Sequence, residues 1–431
     1  MNKLILTGLL FNITLSSFAQ IINEIINPIE VERIERILSA DDMEGRKTFT
    51  VGNEKAAAFI ANEFKAAGLQ TLTGSNNYLQ EFVIVHPQFS TTSGFINGEE
   101  IESKNIIAIT SSPSITINEK SGYEKVSINK GDNLSETVNM YIHQQKNLLV
   151  MVDTSFSKSF PRLNRIKKNI LKSEVSVIFI LSTKEPVTYS IEVKQETIES
   201  RLANVVGIMP GKSKKEEYVI FSGHYDHLGI GKPNNTQDSI YNGANDDAAG
   251  TTAVIMLAKY FAQQKSNERT LIFVAFTAEE LGGLGSQYFS KQFVPEKIIS
   301  MFNIEMIGTQ SKWGTNSAYI TGFEKTNIGE ILQKNLNKTN FAFYPDPYPD
   351  QQLFYRSDNS SLAKLGVPAH TISTSKMDNE KYYHTLDDEI ETLDIKNMTE
   401  IIKAIALSSQ SIVNGKEAPT RVNLSVLGGT K

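Results

Sequence analysis

Cysteine is absent from this sequence of 431 residues, and histidine is scarce, with six copies. Without thiols the chain can form no disulfide, thiol nucleophile, iron–sulfur cluster or thiolate zinc site. Any metal must therefore be held by imidazole and carboxylate groups. The sequence also has no large excess of charge of either sign, because it contains 43 Lys+Arg and 48 Asp+Glu, for a net charge of −5. Nucleic-acid binding needs a strongly basic face, so we expect no nucleic-acid partner.

Long apolar runs are missing as well. The run LILTGLLFNITL near the N-terminus is about a dozen residues, short of the ~20 that cross a bilayer. After it, Ser17-Phe-Ala19 places small residues at the two positions that a signal peptidase inspects. We therefore predict a signal peptide over residues 1–19, cut after Ala19, and a secreted or periplasmic protein with no membrane attachment.

The hydrophobic pattern divides the rest of the chain into four parts. Residues 20–86 contain helical patterns and are predicted to be the first part of the main domain. Residues 87–200 alternate short β-rich runs with polar connections, which predicts an inserted domain. Residues 201–415 repeat strand, helix and strand, which predicts an α/β fold with a mostly parallel central sheet flanked by helices. Residues 416–431 form a polar tail.

Ionisable residues follow the apolar runs of the 201–415 part. The runs and the groups after them are YVIFS at 218–222 with GHYDH, LIFVAF at 271–276 with TAEE, SMFNI at 300–304 with Glu305, and VPAHTI at 367–372 with His384. Ligands of open α/β sheets bind outside the carboxyl ends of the strands, so we expect these groups at one rim. Asp246-Asp247 in GANDDAAG adds carboxylates before a helical pattern. Such a set suits zinc, and five ligands with one bridging carboxylate suit two ions about 3.5–4 Å apart.

Five motifs in order, GHYDHLG, GANDDAAG, TAEELGGLGS, NIEMIG and YHTLDDEIETLD, resemble those of the M28 family of zinc aminopeptidases. The resemblance covers residues 30–85 and 201–412. It implies a zinc-exopeptidase fold, two Zn²⁺ ions per chain, and a metallo-aminopeptidase acting on peptide substrates. It also implies that Asp246 bridges the ions and that the other ligands are His224, Glu280, Glu305 and His384.

The resemblance assigns acid–base roles too. Glu279 matches the general base, which takes a proton from a water activated by the metals and later hands it to the leaving amine. Asp226 lies two residues after His224 and is expected to orient that imidazole. Glu305 stands where the family often has Asp, one methylene shorter. Asp247 is the alternative ligand to Asp246, or a cap for the following helix.

The substrate pocket and the remaining histidines are predicted less directly. Tyr355 and Asp358 belong to a segment that resembles the pocket-shaping segment of the family, although Asn359 stands where a His is common. Tyr383, next to His384, is a further pocket candidate. The other histidines are expected to be dispensable for metal binding: His227 and His370 as structural residues, His86 and His143 as surface residues.

Three alternatives share this framework. Glutaminyl cyclases resemble M28 peptidases but hold one zinc, whereas His224 and Glu305 here complete a second ligand set. Receptor ectodomains resemble the family after losing ligands, whereas the set here is intact. The family also includes carboxypeptidases, and no residue identifies which chain terminus is recognised. The inserted segment 87–200 is similar in strand order to a protease-associated domain.

Overall fold

The computed structural model describes residues 21–424, so the predicted signal peptide lies outside the described residues. The chain divides into two compact units. Unit 1 comprises the residues up to Gln80 and those from Ala203 onwards, and unit 2 comprises Glu81–Leu202. Unit 2 is slightly longer at both ends than the expected segment 87–200, because both connections are continuous β-strands and not loops. Within 21–424, no helix is both long and apolar enough to cross a lipid bilayer.

The main helices and strands follow in chain order. The helices are α1 (Pro28–Leu38), α2 (Val51–Ala66), α3 (Leu134–His143), α4 (Ala249–Gln264), α5 (Leu284–Ser290), α6 (Ile328–Asn335), α7 (Asn359–Ala363), α8 (Ile395–Ser408) and α9 (Gln410–Val413). The strands are β1 (Leu79–Ile96), β2 (Glu99–Ile101), β3 (Ile106–Ile109), β4 (Ser114–Asn118), β5 (Glu124–Ile128), β6 (Leu148–Val152), β7 (Ile170–Leu171), β8 (Val177–Leu181), β9 (Tyr189–Met209), β10 (Lys214–His224), β11 (Gly229–Ile230), β12 (Ile240–Tyr241), β13 (Arg269–Phe276), β14 (Ile298–Ile304), β15 (Ser317–Ile320), β16 (Ala342–Pro345) and β17 (Ala369–Ser373).

The sheet of unit 1 is built around parallel strands. Its order is β16–β15–β17–β14–β10–β13, followed by the end of β9. Strand β10 pairs in parallel with β13 and β14, and β14 pairs in parallel with β17. The pairs β9–β13 and β15–β17 are antiparallel. This architecture confirms the predicted α/β fold with a mostly parallel central sheet.

Alternate residues of the central strands face two hydrophobic clusters. Phe221 and Phe273 belong to the cluster that includes residues of α1, α2, α4 and α8. Ile220 and Ile272 belong to the cluster that includes residues of α5 and α7. Since successive side chains of a strand point to opposite faces, helices cover both faces of the sheet. Strands buried in this way appear in the sequence as unbroken apolar runs.

The two N-terminal helices begin at side-chain caps. The Asn27 side chain accepts a hydrogen bond from the Glu30 N–H at the start of α1, and Thr50 does the same for the Asn53 N–H at the start of α2. Such caps satisfy backbone N–H groups that a helix start leaves without partners. Beyond α2 the chain turns at Gly68, whose φ of 78° suits glycine. The helical pattern expected in this part of the chain is present.

The segment after α9 packs on unit 1, which the prediction of a polar tail did not anticipate. Val422 is buried in the same cluster as Ile220. Arg421 donates a hydrogen bond to the carbonyl of Ile298 at 2.8 Å. The segment is polar in composition but carries one apolar anchor, so as far as residue 424 it is part of the fold.

Unit 2 contains a four-stranded sheet in the order β3–β8–β6–β5. Its β5–β6 and β6–β8 pairs are parallel, and β3–β8 is antiparallel. One face packs with Val138 and Tyr141 of α3. Strands β2 and β7 pair with β1, and β4 pairs with β9. The similarity to a protease-associated domain stays a prediction.

Candidate metal centre

The carboxyl ends of neighbouring strands bring the predicted ligands together. His224 is the last residue of β10, Glu279 and Glu280 follow β13, and Glu305 follows β14 directly. Because β10, β13 and β14 are parallel, their ends meet at one edge of the sheet. Asp246 comes from a loop just before α4 and not from the end of a strand.

Two groups of possible ligand atoms share Asp246. One contains His224, Asp246 and Glu305, the other His227, Asp246 and Glu280, and in each group the atoms lie within 4.8 Å of one another. Oδ1 of Asp246 is 3.2 Å from His224 Nε2, whereas Oδ2 is 3.8 Å from His227 Nδ1. A carboxylate whose two oxygens face two groups has the arrangement of a bridging ligand.

His384 reaches the second group. Its Nε2 is 3.2 Å from Asp246 Oδ2 and 3.2 Å from Glu280 Oε1. The ring stacks on that of Tyr383, with centroids 3.9 Å apart. The structure therefore brings all five predicted ligands together.

The residues present fit zinc ions. Ligand atoms about 2.0–2.2 Å from a tetrahedral zinc lie roughly 3.3 Å apart, close to the separations seen here. Several buried ligand atoms also lack a hydrogen bond of acceptable geometry: His224 Nε2, both ring nitrogens of His227, Glu280 Oε1 and Glu305 Oε2. Buried polar atoms are normally partnered, and cations would satisfy these atoms. Imidazole and carboxylate are suitable zinc donors.

The electrostatics lead to the same conclusion. Burial raises the pKa of Glu279 well above its ordinary value and raises that of Glu305 to about 7. Burial also acts on Glu280, but the imidazoles of His227 and His384 outweigh it and lower the pKa of Glu280 to about 2. Several carboxyls thus share a buried space without equal positive charge. Two divalent cations supply the charge that would keep all of them ionised.

Asp226 makes different contacts from those expected. Its carboxylate oxygen is 3.9 Å from His224 Nδ1, and the backbone carbonyl of Asp226 is the nearer acceptor at 3.1 Å. The carboxylate instead accepts hydrogen bonds from the backbone N–H groups of Glu279 at 3.1 Å and Glu280 at 3.4 Å. The expectation that the Asp226 side chain orients His224 is therefore corrected: this side chain holds the turn that carries Glu279.

The carboxylate of Asp247 is engaged in hydrogen bonds with backbone N–H groups. Its carboxylate accepts hydrogen bonds from the N–H groups of His224 at 3.1 Å, Gly250 at 3.0 Å and Met306 at 3.0 Å. These contacts join the ends of β10 and β14 to the start of α4. Asp246, with its oxygens turned to both groups, is the better ligand of the two.

Arg46 and Asp388, which the sequence did not single out, hold the metal loop, the loop that contains Asp246. The fully buried Arg46 donates to four backbone carbonyls, those of Leu38, Tyr225, Asn242 and Gly243. Asp388 accepts from the N–H groups of Asn245 at 2.9 Å and Asp246 at 3.1 Å. In the sequence, the charged residues of EGRKT at 44–48 and of HTLDDE at 384–389 mark these positions, but neither pattern shows which backbone groups the side chains contact.

A cavity of about 540 Å³ opens beside the ligands, lined by residues that include Asp246, Glu279, Glu305, Tyr383 and His384. Tyr383 thus lies where a pocket residue was expected. Tyr355 and Asp358 are not among the lining residues, which instead include Arg356 and Ser357. A short turn ends at Tyr355, whose ring packs edge-on against that of Phe354. Asp358 is buried at the start of α7.

Asn359, which stands where the family often has a His, is structural here. Its amide donates to the carbonyls of Phe354 and Ala369, and its oxygen accepts from the Thr371 hydroxyl. These bonds tie the start of α7 to β17, beside the cavity.

The remaining histidines differ in role. His370 is buried with both nitrogens partnered, by the Thr321 carbonyl and the Thr326 hydroxyl, each at 2.8 Å, as a structural residue would be. His227, for which the same role was expected, lies among the ligand atoms instead. The motif GHYDHLG contains His227, but spacing alone does not show which way its ring turns. His86 and His143 belong to unit 2 and are half-buried.

Comparison with known proteins agrees with this chemistry. Residues 204–408 match the family model of peptidase family M28. Leucine aminopeptidase 1 of Aspergillus niger is 28% identical over 207 residues, covering 46% of this chain and 52% of that protein. Its counterpart from Ajellomyces dermatitidis is 29% identical over 216 residues, covering 46% and 53%. The chain thus spans about half the length of these curated relatives.

Solved structures share the fold over nearly the whole chain. An aminopeptidase from Aneurinibacillus sp. strain AM-1 aligns with a TM-score of 0.54 and 18% identity, covering 95% of this chain and 98% of that one. A zinc aminopeptidase from Bacillus subtilis aligns with a TM-score of 0.53 and 16% identity, covering 91% and 97%. The residues of the candidate metal centre all lie within residues 204–408, the part of the chain that matches the model of peptidase family M28.

Proposed function

We propose that this chain is a secreted, zinc-dependent aminopeptidase that hydrolyses N-terminal residues from peptides. The observation that carries the proposal is the placement of Asp246, which offers one oxygen to each of two ligand groups beside Glu279. His224, Asp246 and Glu305 would hold one zinc ion, and Asp246, Glu280 and His384 the other. When bound, the ions supply a Lewis acid for the scissile carbonyl and lower the pKa of water.

Glu279 is the proton carrier in this proposal. Glu279 lines the cavity, and its backbone N–H donates a hydrogen bond to the carboxylate of the buried Asp226. Burial raises the pKa of Glu279 above its ordinary value, and two cations nearby would keep the carboxyl ionised and able to accept a proton. It accepts a proton from the attacking water and donates it to the leaving amine. The adjacent Glu280 faces His384, so neighbouring carboxyls take different tasks.

The cavity supports the removal of a terminal residue. It opens beside Glu279 and the candidate ligands Asp246, Glu305 and His384, where the scissile bond of a bound peptide would lie. Met306, Leu353 and Met377 contribute apolar surface to the lining. The names of the curated relatives, leucine aminopeptidase 1, support an amino-terminal specificity for apolar residues.

One observation favours a second candidate, a carboxypeptidase-type activity. Arg356 is among the residues that line the cavity, and a guanidinium is a strong ligand for a terminal carboxylate. In that case Arg356→Met would abolish activity on substrates with a free C-terminus. For an aminopeptidase, the same variant should change the rate by less than about tenfold.

A matched substrate panel tests the function. We expect leucyl 4-nitroanilide to be hydrolysed, N-acetyl-leucyl 4-nitroanilide to resist, and peptides to be shortened from the N-terminus. Glu279→Gln should abolish turnover while zinc per chain stays at two, because Glu279 belongs to neither ligand group. Unchanged turnover in Glu279→Gln, or equal rates on blocked and free substrates, would contradict the proposal. One zinc per chain, with cyclisation of N-terminal glutamine, would favour the cyclase alternative.

Export is tested separately. We expect the protein recovered from the medium or periplasm to begin at Gln20. An N-terminus at Met1 in cell extracts alone would contradict secretion and leave the catalytic proposal untouched.

A further inference from the structure

His227 is a buried imidazole whose Nδ1 lies 3.0 Å from Glu280 Oε1. Its side chain is 0% exposed, and both ring nitrogens lack a hydrogen bond of acceptable geometry. The contrast with His370 is direct, since both nitrogens of that equally buried ring are partnered. Burial of an imidazole without a well-formed hydrogen bond is costly, and a cation held between Nδ1 of His227 and the nearby carboxylates would satisfy that nitrogen.

The ring of His227 faces the same two oxygens as the ring of His384. Nδ1 of His227 is 3.0 Å from Glu280 Oε1 and 3.8 Å from Asp246 Oδ2. Nε2 of His384 is 3.2 Å from each of those oxygens. Both imidazoles thus face the same two carboxylate oxygens, and the separations of 3.0 Å and 3.2 Å are close to those expected around a tetrahedral cation.

The backbone fixes His227 in this position. Its N–H donates to the Arg46 carbonyl at 3.4 Å. Its ring packs on Gly243, where an added Cβ would lie 2.5 Å from the ring atom Cδ2. Gly243 has a φ of 55°, which glycine adopts without strain. The close approach of loop and ring therefore needs glycine at position 243.

We infer that His227 is a ligand of the second zinc ion and closes that site with four protein donors: His227, His384, Asp246 and Glu280. The first group has three, His224, Asp246 and Glu305, which leaves a coordination position for water or substrate. Closed four-ligand sites are typical of structural zinc, and three-ligand sites of catalytic zinc. This inference rests on the proposed zinc function and assigns its two ions different strengths of binding.

Zinc retention tests the assignment. We compare His227→Gln with wild type, with His384→Gln as the positive comparator and His143→Gln, in unit 2, as the control. After dialysis against a chelator of moderate affinity, we expect His227→Gln to lose one of two zinc ions and to bind that ion at least 10–100-fold more weakly. Wild-type retention in His227→Gln, when His384→Gln loses an ion, would overturn the inference.

A second measurement uses the wild-type protein, so its result does not depend on whether His227→Gln folds. In the protein reconstituted with Co²⁺, each ligated imidazole gives one strongly shifted, exchangeable N–H proton signal. We expect three such signals, from His224, His227 and His384, whereas two signals would overturn the inference. A wild type that binds no zinc and hydrolyses nothing would defeat the proposed function itself. A wild type with two zinc ions, full activity and two imidazole signals would defeat only the role of His227.

Discussion

The carboxylate of Asp388 accepts a hydrogen bond from the backbone N–H of Asp246 at 3.1 Å. Its other oxygen accepts from the N–H of Asn245, and its backbone carbonyl from that of Ala244. Asp388 lies four residues after His384, so one short segment supplies a candidate ligand and the support of another. Because Asp246 belongs to both ligand groups, its support affects both metal positions.

Asp388→Asn should therefore weaken the whole centre. The amide replaces one acceptor oxygen by an NH₂ group, which would face a backbone N–H. We expect kcat/KM and zinc affinity to fall about 10–100-fold, and the free energy of unfolding to fall by about 1–3 kcal/mol. Steady-state kinetics, zinc titration and urea unfolding measure these effects. Asp387→Asn, at the exposed neighbour, should behave as wild type. Equal behaviour of the two variants would refute the support role.

Arg46→Lys is expected to destabilise unit 1. The guanidinium of Arg46 reaches four carbonyls in different directions, and a lysine ammonium cannot replace its planar fork. Buried carbonyls left without donors should lower the free energy of unfolding by about 2–4 kcal/mol. Urea unfolding checks this, with Arg36→Lys as a half-exposed control. A loss no larger than in the control would show that the four contacts contribute little.

Glu305→Asp tests whether this chain has adapted to the longer side chain. The backbone N–H of Glu305 donates a hydrogen bond to the Ile372 carbonyl at 3.1 Å. Because this bond fixes the backbone, the backbone cannot move to compensate for a shorter side chain. The carboxylate would retreat by about 1.5 Å. We expect roughly tenfold weaker binding of one zinc ion, measured by competition with a chelator. Glu324→Asp, at the surface, is the control. Equal or tighter binding in Glu305→Asp would contradict this reasoning.

Glu35→Gln should change the pH dependence of stability. Glu35 is fully buried, and burial raises its pKa to about 8. The folded state therefore binds this proton more tightly than the unfolded state. The contribution of Glu35 to the free energy of unfolding is fully present below about pH 4.5 and is lost as the pH rises to about 8. Glutamine stays neutral and keeps an acceptor for the Thr252 hydroxyl.

Urea unfolding at pH 5 and pH 9 measures the effect of this substitution. Relative to wild type, Glu35→Gln should gain on the order of 2–4 kcal/mol between these pH values. Glu32→Gln, at a half-exposed neighbour, should show no such gain. A difference between Glu35→Gln and wild type that is constant with pH would contradict the raised pKa.

The location of the centre could be predicted because it follows the most regular part of the fold. Strands β10, β13 and β14 are buried on both faces and appear as apolar runs, and the ligands come directly after them. Parallel pairing then places these ends at one edge. The order of motifs was needed for Asp246, which follows no apolar run, and for His384, which lies well beyond the run at 367–372.

The contacts between loops could not be predicted in the same way. The Asp226 carboxylate bonds to the backbone of Glu279, 53 residues away, and the direction of such a bond depends on the conformation of two turns. The orientation of His227 and the displacement of Tyr355 from the cavity have the same origin. Spacing identifies which residues are near the site, whereas backbone torsions decide which of them face it.

Unit 1 is assembled from two parts of the chain, with all of unit 2 between them. Arg46 belongs to the first part, and its partners Tyr225, Asn242 and Gly243 belong to the second. A ribosome needs roughly 6–25 s to synthesise the intervening 81–202. During that time the apolar faces of α1 and α2 have no sheet to cover, and the loop of Asp246 does not yet exist. The loop of Asp246 can therefore close on Arg46 only after all of unit 2 has been synthesised.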